Sequence, residues 1–330
     1  MNRLTRVWIC FGLFVTLVLC WVFPVLAAEA QFTARYATQL SKTFHLTETD
    51  YKFAELVAQK TNGRLKIEVY PAGQLYKGRS IVKAVTDGAL QMGIVYSGAW
   101  NGQLPYVDIF DVPFVFKTMA DIHKAVSGPL GTMISQDMEK FNAKLLYMGY
   151  YGRSFEIANR IRPLKTMTDF KGLKIRVNLP TAVAAIGAMQ AAPTKMSSSE
   201  VYMALQRKTI DGVVSGVQSI VKRKWNETCK YLTVTNGGFS PWPVTVNTKF
   251  WSKLPPDIQK AVMEAAVEVS KMSLDRAEKE DAAALAEAMN SMEVYTLKGE
   301  WPEARKAGLA AWRKRTGEQK ADEILKLLGL

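Results

Sequence analysis

Lys171-Gly172-Leu173-Lys174-Ile175-Arg176-Val177-Asn178-Leu179-Pro180 decides how the rest of the chain is read. Leu173, Ile175 and Val177 alternate with Lys174 and Arg176, the period-2 pattern of a short strand with one apolar face. Pro180 ends the strand, and Thr181 to Gln190 reads as an alanine-rich helix. Arg176 therefore falls near the carboxyl end of a strand that feeds a helix, where open α/β sheets bind ligands. A guanidinium there offers a planar fork of donors that matches a carboxylate. The competing reading is an arginine on a solvated strand face.

The alternation repeats on both sides. Phe32–Thr38, Leu65–Val69 and Met92–Tyr96 read as strands, with helices from the Thr47-x-x-Asp50 start and over Arg79–Asp87 between them. Strand, helix, strand, helix, strand predicts an α/β fold with parallel pairing. An aromatic and proline-rich loop follows over Trp100–Phe116. Beyond it come a helix opened by Thr118-x-x-Asp121, a second over Pro129–Asn142, and strand Lys144–Tyr150.

Past Arg176 the pattern resumes with a strand at Thr194–Met196, a helix from Ser197-x-x-Glu200 through Arg207, strand Asp211–Val214 and helix Ser219–Trp225. Ser240–Asn247 reads as a strand returning to the first half. Asp257 to about Met292 reads as one helix, on the order of 50 Å long at ~1.5 Å per residue, and helices Pro302–Arg315 and Glu318–Leu328 follow. Two lobes are expected. The first holds 31–151 and about 240–256, the second 152–239 and about 293–330, and 257–292 spans both.

Residues 1–30 read as a signal peptide. Arg3 and Arg6 precede the apolar run Val7–Phe23, and small residues place cleavage after Ala27 or Ala30. An uncleaved anchor is the alternative, since the run lies at the short edge of a bilayer span. Of three cysteines, Cys10 and Cys20 leave with the signal. Cys229 alone remains, which excludes an intramolecular disulfide and a cysteine zinc site. The formal net charge of +13 favours anionic ligands or surfaces. No stretch resembles a nucleic-acid module, and Trp312-Arg313-Lys314-Arg315 reads as a solvated helix face.

His45 and His123 lack metal-ligand spacing, so neither a metal nor another cofactor is expected. No nucleophile elbow, P-loop or dinucleotide fingerprint occurs. An exported two-lobed α/β chain without a catalytic motif reads as a binding protein that closes on its ligand, not as an enzyme.

Several segments resemble the extracytoplasmic solute-binding proteins of tripartite ATP-independent periplasmic (TRAP) transporters. They are Thr61–Leu75, Asp111-Val112-Pro113-Phe114, Lys171–Val177, Pro193-Thr194-Lys195-Met196, Ser199–Gln206 and Asp211-Gly212. The resemblance implies a two-lobed periplasmic solute-binding fold with a cleft, hinge strands and a long bracing helix, closing over one organic acid. It also implies hand-over to a permease of one small and one large membrane subunit, driven by an ion gradient.

The family's principal ligand arginine matches Arg176, and a second, in a turn opening the second lobe, matches Arg153. Ser215 stands where the family carries a ligand-contacting asparagine. Ser198 replaces an aromatic residue before the S-E-V-Y segment, and Asn178 replaces a proline, so that wall is expected to be smaller and richer in hydroxyls. Tyr96 fills a position that is acidic in sialic-acid binders. Trp242 and Trp100 offer further rings, and His45 matches a histidine at the cleft mouth. Together these suggest a monocarboxylate with an aromatic or apolar body. A periplasmic ligand sensor, a periplasmic enzyme acting on an organic acid and a signal-anchored structural protein are the competing readings.

Overall fold

The computed structural model describes residues 30–330, so the targeting segment lies outside the described residues except for Ala30. The first lobe begins with β1 (Phe32–Thr38), α1 (His45–Lys60), β2 (Leu65–Tyr70), α2 (Arg79–Thr86) and β3 (Met92–Ile94). It continues through α3 (Met119–Ser127), α4 (Pro129–Glu139) and β4 (Ala143–Arg153). The second lobe holds β5 (Glu156–Asn159), β6 (Lys174–Val177), α5 (Pro180–Ala188), β7 (Ala192–Lys195) and α6 (Val201–Gln206), then β8 (Gly212–Ser215), α7 (Val217–Lys222) and β9 (Tyr231–Val234). After these come β10 (Phe239–Asn247), α8 (Thr248–Trp251), α9 (Pro256–Met289), β11 (Glu293–Thr296), α10 (Pro302–Thr316) and α11 (Glu318–Leu328).

The first sheet has the order β2-β1-β3-β10-β4 and the second β11-β9-β5-β8-β6-β7. Pairing is parallel among β1, β2 and β3, and among β6, β7 and β8. It is not parallel throughout. β10 arrives from the second lobe and runs antiparallel to both β3 and β4. Pro241 and Pro243 are tolerated inside this central strand because the register shifts beside Ser240. β5, β9 and β11 are additions to the expected elements. Each has four residues, too few for a periodicity to show.

Core packing explains the long helix. Ile258, Val262 and Val269 of α9 join Phe53, Val57, Tyr36 and Val244 in the first lobe, whereas Ala284 and Ala288 join Val213, Ile220 and Trp225 in the second. The small alanine side chains let the helix axis approach the second sheet closely.

The C-terminal segment divides between the lobes. β11 joins the second sheet, but Trp312, Ala321 and Ile324 are buried in the first lobe's core. The solvated reading of Trp312–Arg315 is corrected accordingly. Trp312 is fully buried and its indole N–H donates to Tyr106 O at 2.9 Å, while Arg315 lies 3.3 Å from the buried carboxylate of Asp108. The capping box at Thr118–Asp121 forms as read. The one expected at Thr47–Asp50 does not, because α1 starts at His45 and Asp50 turns inward to accept the Tyr36 hydroxyl at 2.5 Å.

Candidate functional site

A cavity of about 630 Å³ opens between the two lobes. Tyr96, Asp111 and Trp242 line it from the first sheet's side, and Arg176, Asn178, Ser198 and Ser215 from the second. Six of the nine residues singled out in the sequence thus meet around one space. The other three, Arg153, His45 and Trp100, do not line it.

Arg176 is placed by its strand. Ile175 and Val177 pack into the second lobe's core, and the intervening guanidinium is held at 2% exposure. Its Nε donates to Met196 O at 3.0 Å, Nη1 to Val214 O at 3.3 Å and Nη2 to the Ser198 hydroxyl at 3.1 Å. All three acceptors are neutral. Burial, with the Arg223 charge beside it, pushes the guanidinium down to about 10, so it remains cationic at neutral pH. A buried cation fixed by dipoles, with no carboxylate partner among the described residues, is poised for an anion.

The opposite wall is aromatic. Trp242 stacks on Tyr151 with centroids 5.3 Å apart and planes 11° from parallel, and meets Tyr96 edge-on at 5.9 Å. The Trp242 indole N–H is buried without a partner. The Tyr151 hydroxyl is fixed by Ser219 Oγ at 2.6 Å. Trp100, which the sequence offered as another ring, is buried in the first lobe's core instead.

Asp111 is the cavity's one acidic residue among the described residues. Its Oδ2 has no partner, and burial together with Asp108 raises its carboxyl well above the usual range. The shift favours its neutral form over the carboxylate that would compensate the guanidiniums.

His45 is not at the cleft mouth. It is fully buried, with Nδ1 2.8 Å from Gln218 Oε1 and Nε2 2.8 Å from Tyr150 O. Arg153 lies where β4 leaves the first sheet. Its amide donates to Asp281 of α9 at 2.7 Å and its guanidinium donates to Asn236. Both bond at the crossing between the lobes, where the positive φ of Gly152 turns the chain just before Arg153, and neither lines the cavity.

Tyr151 and Arg223 are among the cavity residues that escaped sequence reading. Tyr151 looked like a lobe boundary. Arg223 sits in Lys222-Arg223-Lys224, within the stretch Ser219–Trp225 that reads simply as a helix. Neither carried a periodic signal. Among the described residues no group of three His, Cys, Asp or Glu is arranged to hold a metal ion, and no helix is long and apolar enough to cross a membrane. Cys229 is buried, and burial pushes its thiol up to about 12, which removes it from thiolate chemistry at neutral pH.

Two α/β lobes bracketing a cationic cavity define a solute-binding protein of the two-lobed type. The chain belongs to the bacterial extracellular solute-binding protein family 7, whose family model matches residues 36–319, and is a DctP-like member of the TRAP type. It is 35% identical over 238 residues to the C4-dicarboxylate-binding periplasmic protein DctP of Rhodobacter capsulatus, covering 71% of this chain and 70% of that one. It is 30% identical over 260 residues to the 2,3-diketo-L-gulonate-binding periplasmic protein YiaO of Escherichia coli K12, covering 78% of each. Among solved structures, a TRAP periplasmic solute-binding protein of Desulfovibrio salexigens with bound orotic acid superposes with a TM-score of 0.83 at 25% identity, covering 90% of this chain and 97% of that one.

Proposed function

We propose that this protein captures the carboxylate of an organic acid in its interlobe cavity and delivers it, in the periplasm, to the small and large membrane subunits of a TRAP transporter. The observation that carries this reading is the buried Arg176 guanidinium, bonded only to neutral acceptors. A carboxylate completes it with charge-assisted hydrogen bonds worth about 1.5–3 kcal/mol each. The names of the relatives support an organic acid, and family membership supports transport rather than turnover.

The proposed ligand is a monocarboxylate with a flat or apolar body. Its acid group meets Arg176, and its body lies along the Trp242–Tyr151 stack with Tyr96 at the edge. Ser198, Ser215 and Asn178 complete the polar side. The orotic acid held by the Desulfovibrio relative, a ring with one carboxylate, supports this reading. Arg153 and His45 act at the hinge rather than on the ligand.

Native mass spectrometry of the purified protein tests the proposal. One carboxylate is expected to co-purify, and Arg176→Ala is expected to lose it. Equal occupancy in Arg176→Ala would remove the anchor. A thermal-shift comparison tests the finer reading, which fails if small C4 diacids alone raise the melting temperature and ring acids do not.

A further inference from the structure

Arg223 follows α7 directly and lines the same cavity as Arg176. Its guanidinium carbon lies 5.7 Å from the centroid of the Phe44 ring, against which it rests. Its Nε is buried and has no hydrogen-bond partner. No carboxylate among the described residues pairs with it, and burial lowers its affinity for its proton. Two guanidiniums thus share one partly desolvated space, and the only acid lining it among the described residues, Asp111, has its carboxyl raised well above the usual range by burial and by Asp108. Without an anion this arrangement is repulsive. With one, each fork gains a charge-assisted partner.

We propose that Arg223 is the second anion anchor of the cavity, its guanidinium closing with that of Arg176 on a single ligand carboxylate. Arg223 then fills the role that the family resemblance gave to Arg153, which the chain uses at the hinge. The inference rests on the carboxylate-binding reading above and adds a residue to it.

The position of α7 gives the anchor a mechanical consequence. In the turns before Arg223, Gln218 bonds His45, Ser219 bonds the Tyr151 hydroxyl and the Lys222 ammonium donates to Thr43 O at 2.8 Å. Capturing the carboxylate therefore seats the helix that also joins the lobes.

The test uses orotate, pyroglutamate, D-glucuronate, D-galacturonate, succinate and galactonate, titrated calorimetrically into the wild-type protein. The tightest binder becomes the probe for Arg223→Met, Arg223→Gln and Arg176→Ala. Both Arg223 variants are expected to bind it about 10- to 100-fold more weakly, the loss of one charge-assisted contact. Their ligand-free melting temperature is expected to be unchanged or higher, because an uncompensated charge beside Arg176 is gone. A merely structural role for Arg223 reverses this pattern. The inference is overturned by an unchanged Kd in both variants, or by a loss of affinity that appears only with a fall in ligand-free melting temperature. Arg176→Ala separates the two readings. If it abolishes binding while the Arg223 variants bind normally, only this inference fails. If it binds normally, or if none of the six acids binds the wild-type protein, the carboxylate reading fails and takes this inference with it.

Discussion

Gln218 of α7 joins His45 of α1 across the boundary between the lobes, with Oε1 2.8 Å from the imidazole Nδ1. Its amide nitrogen donates in the other direction, to Tyr151 O at 3.1 Å and to Asp281 Oδ1 at 2.9 Å. One buried side chain thus connects an element of each lobe, the strand that leaves the first sheet and the bracing helix.

Gln218→Leu keeps the volume and removes every one of these bonds. His45, Tyr151 O and Asp281 lose buried partners together. The expected cost is about 2–3 kcal/mol of unfolding free energy, measured by urea titration of the ligand-free protein. A change below about 0.5 kcal/mol would mean that water replaces the amide.

Gly152→Ala is expected to destabilise by about 2 kcal/mol or more. Gly152 has φ +99°, and a Cβ there would run into the Asp281 carboxylate. Backbone strain and displacement of a hinge hydrogen bond add. Thermal unfolding reads the loss, and a melting temperature within a degree of the wild type contradicts it.

Asp50 sets a pH dependence. It is buried, and burial pushes its carboxyl from an ordinary 3.8 up to about 8, with the Tyr36 hydroxyl opposing the shift. The folded state prefers the protonated form. Its contribution is therefore fully present below the unfolded value of 3.8 and is lost as pH rises through about 8. The wild-type melting temperature is expected to fall as pH rises from about 4 to about 8, the span between the two values, and Asp50→Asn to flatten that fall. Parallel curves for the two proteins would exclude Asp50 as the source.

Lys77, Arg79 and Lys195 are exposed residues at the cavity. Such cations act on an approaching anion through the field rather than by contact. Neutralising Lys77 and Arg79 to Gln is expected to lower the association rate several-fold at low salt, with the dissociation rate nearly unchanged. Stopped-flow measurements at two ionic strengths check this. An effect confined to the dissociation rate would place these side chains on the ligand instead.

Much of the architecture is legible in the residues. The Leu173–Val177 alternation, the Thr118–Asp121 box and the long run of α9 each encode an element locally, through side-chain period or cap chemistry. β5, β9 and β11 are four-residue strands formed because a neighbour offers a ladder, and such pairing leaves little trace in a short segment. Trp312 looks exposed beside Arg313, Lys314 and Arg315 until the backbone carbonyl of Tyr106, distant in sequence, accepts its indole N–H.

By itself the sequence determined the α/β alternation, the return of β10 to the first sheet, the family and Arg176 as the candidate anchor, because these depend on period, order and motif. Only the tertiary structure decided what surrounds that anchor. It withdrew Arg153 and His45 to the hinge and brought Arg223 and Tyr151 to the cavity. The reason is physical. Whether a cation meets water, a ring or another cation depends on elements packed from far along the chain, and burial and missing counter-charges are properties of that packing, which no spacing encodes.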